Sequence, residues 1–185
     1  MQKHIYLIII CIILCSNAQL VHADQIWKDG KLLLKWGISE KEITDKLRDK
    51  LFPQVTERVL SYVDYVDSEK AAIGFYFTRK GELAAVIISI LCGGEMFGAI
   101  EEKCPVSKYF ELKNQLSKAN QEPFMSQEIQ EGKISLWKTT DGLIVLGYNE
   151  AGQVGIHYFS KSYWKDIAVQ PVAEEAKFYF SLLGD

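Results

Sequence analysis

Ala71-Ala72-Ile73-Gly74-Phe75-Tyr76-Phe77-Thr78-Arg79-Lys80-Gly81-Glu82-Leu83-Ala84-Ala85-Val86-Ile87-Ile88 holds two strands and the turn between them. Ile73, Phe75 and Phe77 recur at every second position, the alternation of a strand with one apolar face, over residues 71–78. Arg79-Lys80-Gly81 supplies the hairpin turn, with Gly81 free to take positive φ. Over 82–91 the alternation stops. Leu83-Ala84-Ala85-Val86-Ile87-Ile88 is apolar on both faces, which predicts a central strand covered on both sides.

Outward from this hairpin the chain repeats its elements. Towards the N-terminus, residues 56–66 form a further strand ending at Asp67-Ser68. Before it, Ser39 and Glu42 have capping-box spacing. Ile43, Leu47 and Leu51 then lie on one helical stripe, which Pro53 ends. Towards the C-terminus, Pro105 suits the first turn of a second helix. There Val106 and Phe110 form one stripe, and Tyr109, Leu112 and Leu116 another; Pro123 closes it. Strands near 133–139, 142–149 and 153–160 follow, separated by Asp141-Gly142 and Ala151-Gly152. Residues 172–183 form a last helix, with Val172, Ala176, Tyr179, Phe180 and Leu183 on one side. Sequence identity between the halves is slight, so the repeat is one of elements. The expectation is one α+β domain over 24–185, built of tandem helix-plus-three-strand units at about 36–91 and 105–160. Their helices lie on one face of an antiparallel sheet, with the C-terminal helix added.

Residues 1–23 read differently. Lys3 gives a positive start, Ile5 to Cys15 is an unbroken apolar run, and Ser16 to Ala23 is a polar tail. That is the order of a secretory signal peptide. The run is shorter than the roughly 20 residues of a membrane span. Ser16 and Ala18 direct cleavage before Gln19; Val21 and Ala23 direct it before Asp24, which leaves a polar start and is preferred. Ile13 and Leu14 precede Cys15, where lipid attachment expects a small residue. The chain is thus expected in the periplasm or secreted, with no membrane span after cleavage.

The whole chain has 21 Lys and Arg against 24 Asp and Glu, so cleavage, which removes Lys3 alone, leaves a net charge of −4. A mildly acidic chain lacks the basic face that nucleic acid demands. With 48% hydrophobic residues and 4 prolines, it is globular and not disordered. Two cysteines remain, Cys92 and Cys104. In an oxidising compartment they predict one disulfide, closed over a loop in which Gly93, Gly94 and Gly98 let the chain turn back. Their spacing is not that of a Cys-x-x-Cys redox pair.

At Trp36-Gly37-Ile38-Ser39-Glu40-Lys41-Glu42-Ile43 the chain resembles the Trp-Gly-Met-Ser-x-x-Glu-Val helix start of small exported proteins of the SmpA/OmlA and β-lactamase-inhibitor-protein type. Gly74 to Leu83 looks like their first hairpin. Leu136 to Leu146, followed by Ile156 to Lys161, looks like the last hairpin of a second unit. That family uses helix pairs and four-stranded meanders, where one helix and three strands per unit are counted here. The resemblance implies a binding or scaffolding role at the cell envelope, without catalysis.

The chemistry-bearing residues agree with that reading. His157 is the one histidine outside the signal, in a strand whose neighbours Ile156 and Tyr158 face the other way. It is expected to face solvent, with no ordered carboxylate or nucleophile to make it a tuned base. One histidine and a disulfide leave no zinc set. Glu101-Glu102, Glu174-Glu175, Asp64 and Asp67 fit no calcium loop, and Cys92-Gly93-Gly94 lacks the Lys-Ser/Thr tail of a phosphate loop. No metal or other cofactor is therefore expected. Aromatics are the better lead, because Trp and Tyr are enriched in binding hot spots, although large aromatics also fill small cores. The candidates are Trp36, Trp137, Tyr148, Tyr158 and Trp164. The expectation is an exported non-catalytic binding, inhibitor or envelope-scaffold protein whose partner is another protein. A carboxylate hydrolase and a small-ligand or lipid carrier are the alternatives.

Overall fold

The computed structural model describes residues 26–47, 51, 58–66, 69–92, 103–129 and 132–184. Residues 1–23, expected to be a signal peptide, and the glycine-rich loop after Cys92 lie outside the described residues.

The hairpin of the opening stretch forms as β4 (Glu69–Phe77) and β5 (Leu83–Ile90). Phe77 pairs with Leu83 and Tyr76 with Ala85, so Ala84 is the extra residue of a β-bulge. The bulge explains the broken alternation. Leu83, Val86, Ile88 and Ile90 serve one core cluster, whereas Ala84 and Ala85 both serve another.

A short hairpin, β1 (Trp27–Lys28) and β2 (Lys31–Leu32), comes first, followed by α1 (Glu40–Leu47) and β3 (Val59–Val66). After β5 come α2 (Val106–Asn120), β6 (Met125–Ile129), β7 (Gly132–Lys138), β8 (Gly142–Asn149), β9 (Val154–Ser160) and α3 (Gln170–Ser181), with a 3-10 turn at Trp164–Asp166. Seven strands form one antiparallel sheet in the order β3-β4-β5-β9-β8-β7-β6. The molecule is a mixed α+β fold. Four strands follow α2 where three were expected. The added one, β6, is exposed at four of its five residues and carries little apolar signal.

The sheet separates two cores. On one face, Ile43 and Leu47 of α1 and Tyr109, Leu112 and Leu116 of α2 pack with Trp27 over Phe75, Ile88, Ile156 and Tyr158. On the other face Val172, Ala176 and Phe180 of α3 pack over Leu136, Leu143, Val145 and Phe159. So α1 and α2 share a face while α3 takes the opposite one. At the start of α1, the Ser39 N–H and hydroxyl both donate to Glu42 (3.0 and 2.8 Å), and the Glu42 N–H donates to Ser39 Oγ (3.2 Å). The backbone donor is the larger cause of a Glu42 pKa below the usual carboxylate range. Leu51, expected on the α1 stripe, instead bridges to Tyr62 of β3.

Cys92 and Cys104 are bonded, with Cα atoms 5.1 Å apart, and tie the end of β5 to the start of α2. A loop of this length restrains the unfolded chain by about 3 kcal/mol in the chain-entropy account. The double variant Cys92→Ser/Cys104→Ser should melt about 6–12 °C lower for a chain of this size. A calorimetric scan showing no drop would assign the bond no share in stability.

Candidate functional site

Among the described residues, those of α3 cover only half of their face of the sheet. Pairing across the strands sets Ser61, Gly74, Ile87, His157, Val145 and Leu136 in one row. Val63, Ala72, Ser89, Gly155, Gly147 and Ile134 form the next row. Cross-strand partners lie on one side of a sheet, so both rows face the same way. Val145, Leu136 and Ile134 are buried, whereas Ser61, Val63, Ala72, Gly74, Ile87, Ser89, Gly155, Gly147 and His157 are partly or fully exposed. Apart from His157, the open half carries no ionisable side chain in either row. It is floored by three glycines, and a methyl group at Gly147 would meet nothing within 4 Å.

A polar cluster stands where this floor meets α3. His157 Nδ1 lies 2.7 Å from Glu175 Oε1, close in distance but off the N–H line of a hydrogen bond. The imidazole folds back over Gly155, where a methyl group would come 3.1 Å from Nε2. The Tyr76 ring lies in the same manner over Gly74, 3.0 Å from where a methyl group would be. Tyr179, tilted against Phe159 at 6.3 Å between centroids, completes the cluster. Burial, and secondly the Glu175 carboxylate, push the Tyr76 hydroxyl up and the Tyr179 hydroxyl up to about 12. Both effects favour the neutral phenol.

His157 therefore does face away from Ile156 and Tyr158, but it has an ordered carboxylate beside it, contrary to expectation. No spacing rule connects a strand residue to a helix residue that the fold later brings over it. The pair alone is not a catalytic triad: among the described residues no hydroxyl or thiol hydrogen-bonds His157. Ser89, across the ladder from Gly155, makes no such bond.

A pH experiment tests the cluster. In Glu175→Gln the Tyr179 titration, followed by carbon-labelled tyrosine NMR, should move to lower pH, because the carboxylate that opposes phenolate is gone. It should remain above the ordinary tyrosine value, since burial is the larger cause. A raised folded pKa stabilises below the unfolded value and is lost as pH rises through the folded one. The wild type should accordingly lose the Tyr179 contribution between about pH 10 and 12. An unmoved titration would place Glu175 away from Tyr179 in solution.

The sequence-expected aromatics divide. Trp137 and Tyr158 are 1% and 3% exposed, so as contact residues they are corrected to core. Trp137 donates to the Gln121 carbonyl, and Tyr158 accepts from Trp27 Nε1. Tyr148 is half-buried, its hydroxyl donating to the Cys104 carbonyl at 3.3 Å. Trp36 packs half-buried on the α1 and α2 side. Trp164 stacks on Phe180, 4.8 Å between centroids. None of the five belongs to the open rows; Tyr76 and Tyr179, which do border them, are not among the five.

Among the described residues two carboxylates have displaced pKa values, Glu42 and Glu128, and both are lowered, Glu128 by its hydrogen bond from Lys133. A general acid for glycoside cleavage requires the opposite shift. Among the described residues no three His, Cys, Asp or Glu side chains converge as a metal set. No described helix is long and apolar enough to cross a membrane. No family model, curated protein or solved structure matches this chain.

Proposed function

We propose that the chain is an exported, non-catalytic binding protein that recognises another protein of the envelope or extracellular space through the open half of its sheet. The observation that carries this is the contrast between the two faces. One is covered by α1, α2 and the N-terminal hairpin. The other leaves two rows beside α3 whose one ionisable side chain is His157, with Ile87 and Val63 part-exposed. An apolar patch next to a polar cluster is the pattern of a recognition surface. The disulfide and the signal-like N-terminus support an oxidising destination. The α1-β3-β4-β5 and α2-β6-β7-β8-β9 segments read as tandem units meeting at β5 and β9, in keeping with the SmpA/OmlA and β-lactamase-inhibitor resemblance.

The test is a pull-down from envelope extract with the chain beginning at Asp24, run beside two variants. Gly147→Arg blocks the floor at a position with room for a side chain. Lys41→Glu alters exposed α1 on the other face. The expected result is one protein captured by wild type and by Lys41→Glu and lost with Gly147→Arg, at unchanged melting temperature. Capture indifferent to Gly147→Arg would remove the open face from the proposal. Turnover of a substrate abolished by His157→Ala at an unchanged melt would replace binding with a hydrolase.

A further inference from the structure

Glu175 borders the open rows from α3, and its charge is left unanswered. Among the described residues no lysine or arginine forms an ion pair with it. His157 Nδ1 is near, at 2.7 Å, but out of line, and an imidazole is charged only when protonated. Neighbours on a helix surface stand three and four positions apart. For Glu175 these are Pro171, Val172, Phe178 and Tyr179, none of them basic. Lys177, two positions on, turns to another side of the helix. Glu174 shows the contrast, since its carboxylate accepts from Gln170 at 2.8 Å. With its side chain 29% exposed, Glu175 keeps acceptor positions that a ligand can reach.

Aromatic rings flank this carboxylate. Tyr76 and Tyr179 lie close enough for its charge to oppose their ionisation, and neither hydroxyl donates to it. Phe178, at i+3, is 59% exposed and meets Tyr179 edge to face, 5.3 Å between centroids. Ring faces are negative, so the surroundings favour a cation beside the carboxylate. Burial turns that preference into a requirement. A partner that covers the glycine floor takes water from Glu175 as well. A carboxylate desolvated without a compensating charge is among the costliest arrangements in an interface. The described chain offers no lysine or arginine here, so the cation comes from the partner. Arginine suits the place better than lysine. Its planar guanidinium meets a carboxylate through two N–H groups while its face lies on an aromatic ring. We infer that the open face recognises its partner through an arginine side chain, which pairs with Glu175 against the rings of Tyr76 and Tyr179. The inference rests on the recognition reading of this face and names the chemistry that the face selects.

The probe is acetyl-arginine amide, titrated against the chain beginning at Asp24 with carbon-labelled tyrosine and followed by NMR. The Tyr76 and Tyr179 signals should shift saturably. Acetyl-citrulline amide, of the same shape without the charge, should shift neither. Acetyl-lysine amide should bind about threefold more weakly. Glu175→Gln should weaken arginine binding about tenfold at an unchanged melting temperature. Glu174→Gln, at the exposed carboxylate one position away, should leave it unchanged. Absence of a saturable shift overturns the inference. So does equal binding of the arginine and citrulline amides, lysine bound as tightly as arginine, or binding indifferent to Glu175→Gln. The two readings fail separately. No arginine binding, with partner capture still lost in Gly147→Arg, sinks this inference and leaves the open face standing. Arginine binding, with capture indifferent to Gly147→Arg, sinks the recognition reading and this inference with it.

Discussion

Gly142→Ala should cost about 4 kcal/mol, among the largest single losses available in this chain. A methyl group at Gly142 would sit 2.0 Å from the Phe159 carbonyl oxygen and 3.1 Å from its carbon, both backbone atoms. Neither neighbour can turn away as a flexible side chain could. Gly142 is held from both sides: it pairs with Ser160 of β9, its carbonyl accepts from Thr139 N–H (2.9 Å), and Asp141 accepts from Lys161 N–H (2.8 Å). Relief requires β8 and β9 to separate at the start of their ladder, beneath buried Leu143 and Phe159. The control is on the same strand. Gly147→Ala adds the same methyl group into open space and should stay within about 0.5 kcal/mol, as surface changes do. Urea unfolding of the pair decides the matter; equal midpoints for the two variants would mean that the ladder yields at Gly142.

Trp137→Ala should cost about 3–5 kcal/mol, the range for deleting a buried large aromatic. The side chain is 1% exposed, and its indole N–H donates to the Gln121 carbonyl at 3.0 Å, just beyond the end of α2. The substitution opens a cavity under the sheet and unties the helix end together. Trp137→Phe keeps much of the volume and loses the hydrogen bond, so it should fall between alanine and wild type. The experiment also separates two roles for this residue. A near-normal melt for Trp137→Ala, with loss of partner capture in the same preparation, would return Trp137 to a recognition surface.

What could be read from the residues depended on how local the cause was. The β4–β5 hairpin was legible because Ile73, Phe75 and Phe77 alternate and Gly81 marks the turn. The Ser39–Glu42 cap and the Cys92–Cys104 bond were legible because their partners are near in sequence or without rivals. By contrast, β6 escaped because an exposed edge strand has no buried face to impose alternation. The side taken by α3 was also hidden: an apolar helical stripe states that the helix packs, not on which face of the sheet. The same limit hid the candidate site. His157 was singled out for its rarity, but Glu175 reaches it only after the chain has run from β9 through the 3-10 turn and back across the sheet. Trp137 and Tyr158 show the converse, since aromatic identity alone does not distinguish a contact residue from a core one.

The seam between β5 and β9 has a consequence for the order of folding. β3-β4-β5 and β6-β7-β8-β9 are each joined by neighbour-to-neighbour pairings, whereas the seam matches Ala85 with Phe159 and Ile90 with Val154. Local hairpins close at little entropic cost and quickly; distant pairings wait for them. A chain emerging from its N-terminus therefore completes β5 long before β9 exists. During that interval Leu83 to Ile90, the most apolar strand of the sheet, is an unprotected edge, the kind of transient surface on which partly folded chains associate. The lifetime of that one incomplete seam, more than the final stability of the sheet, should set how much of the chain reaches its native form.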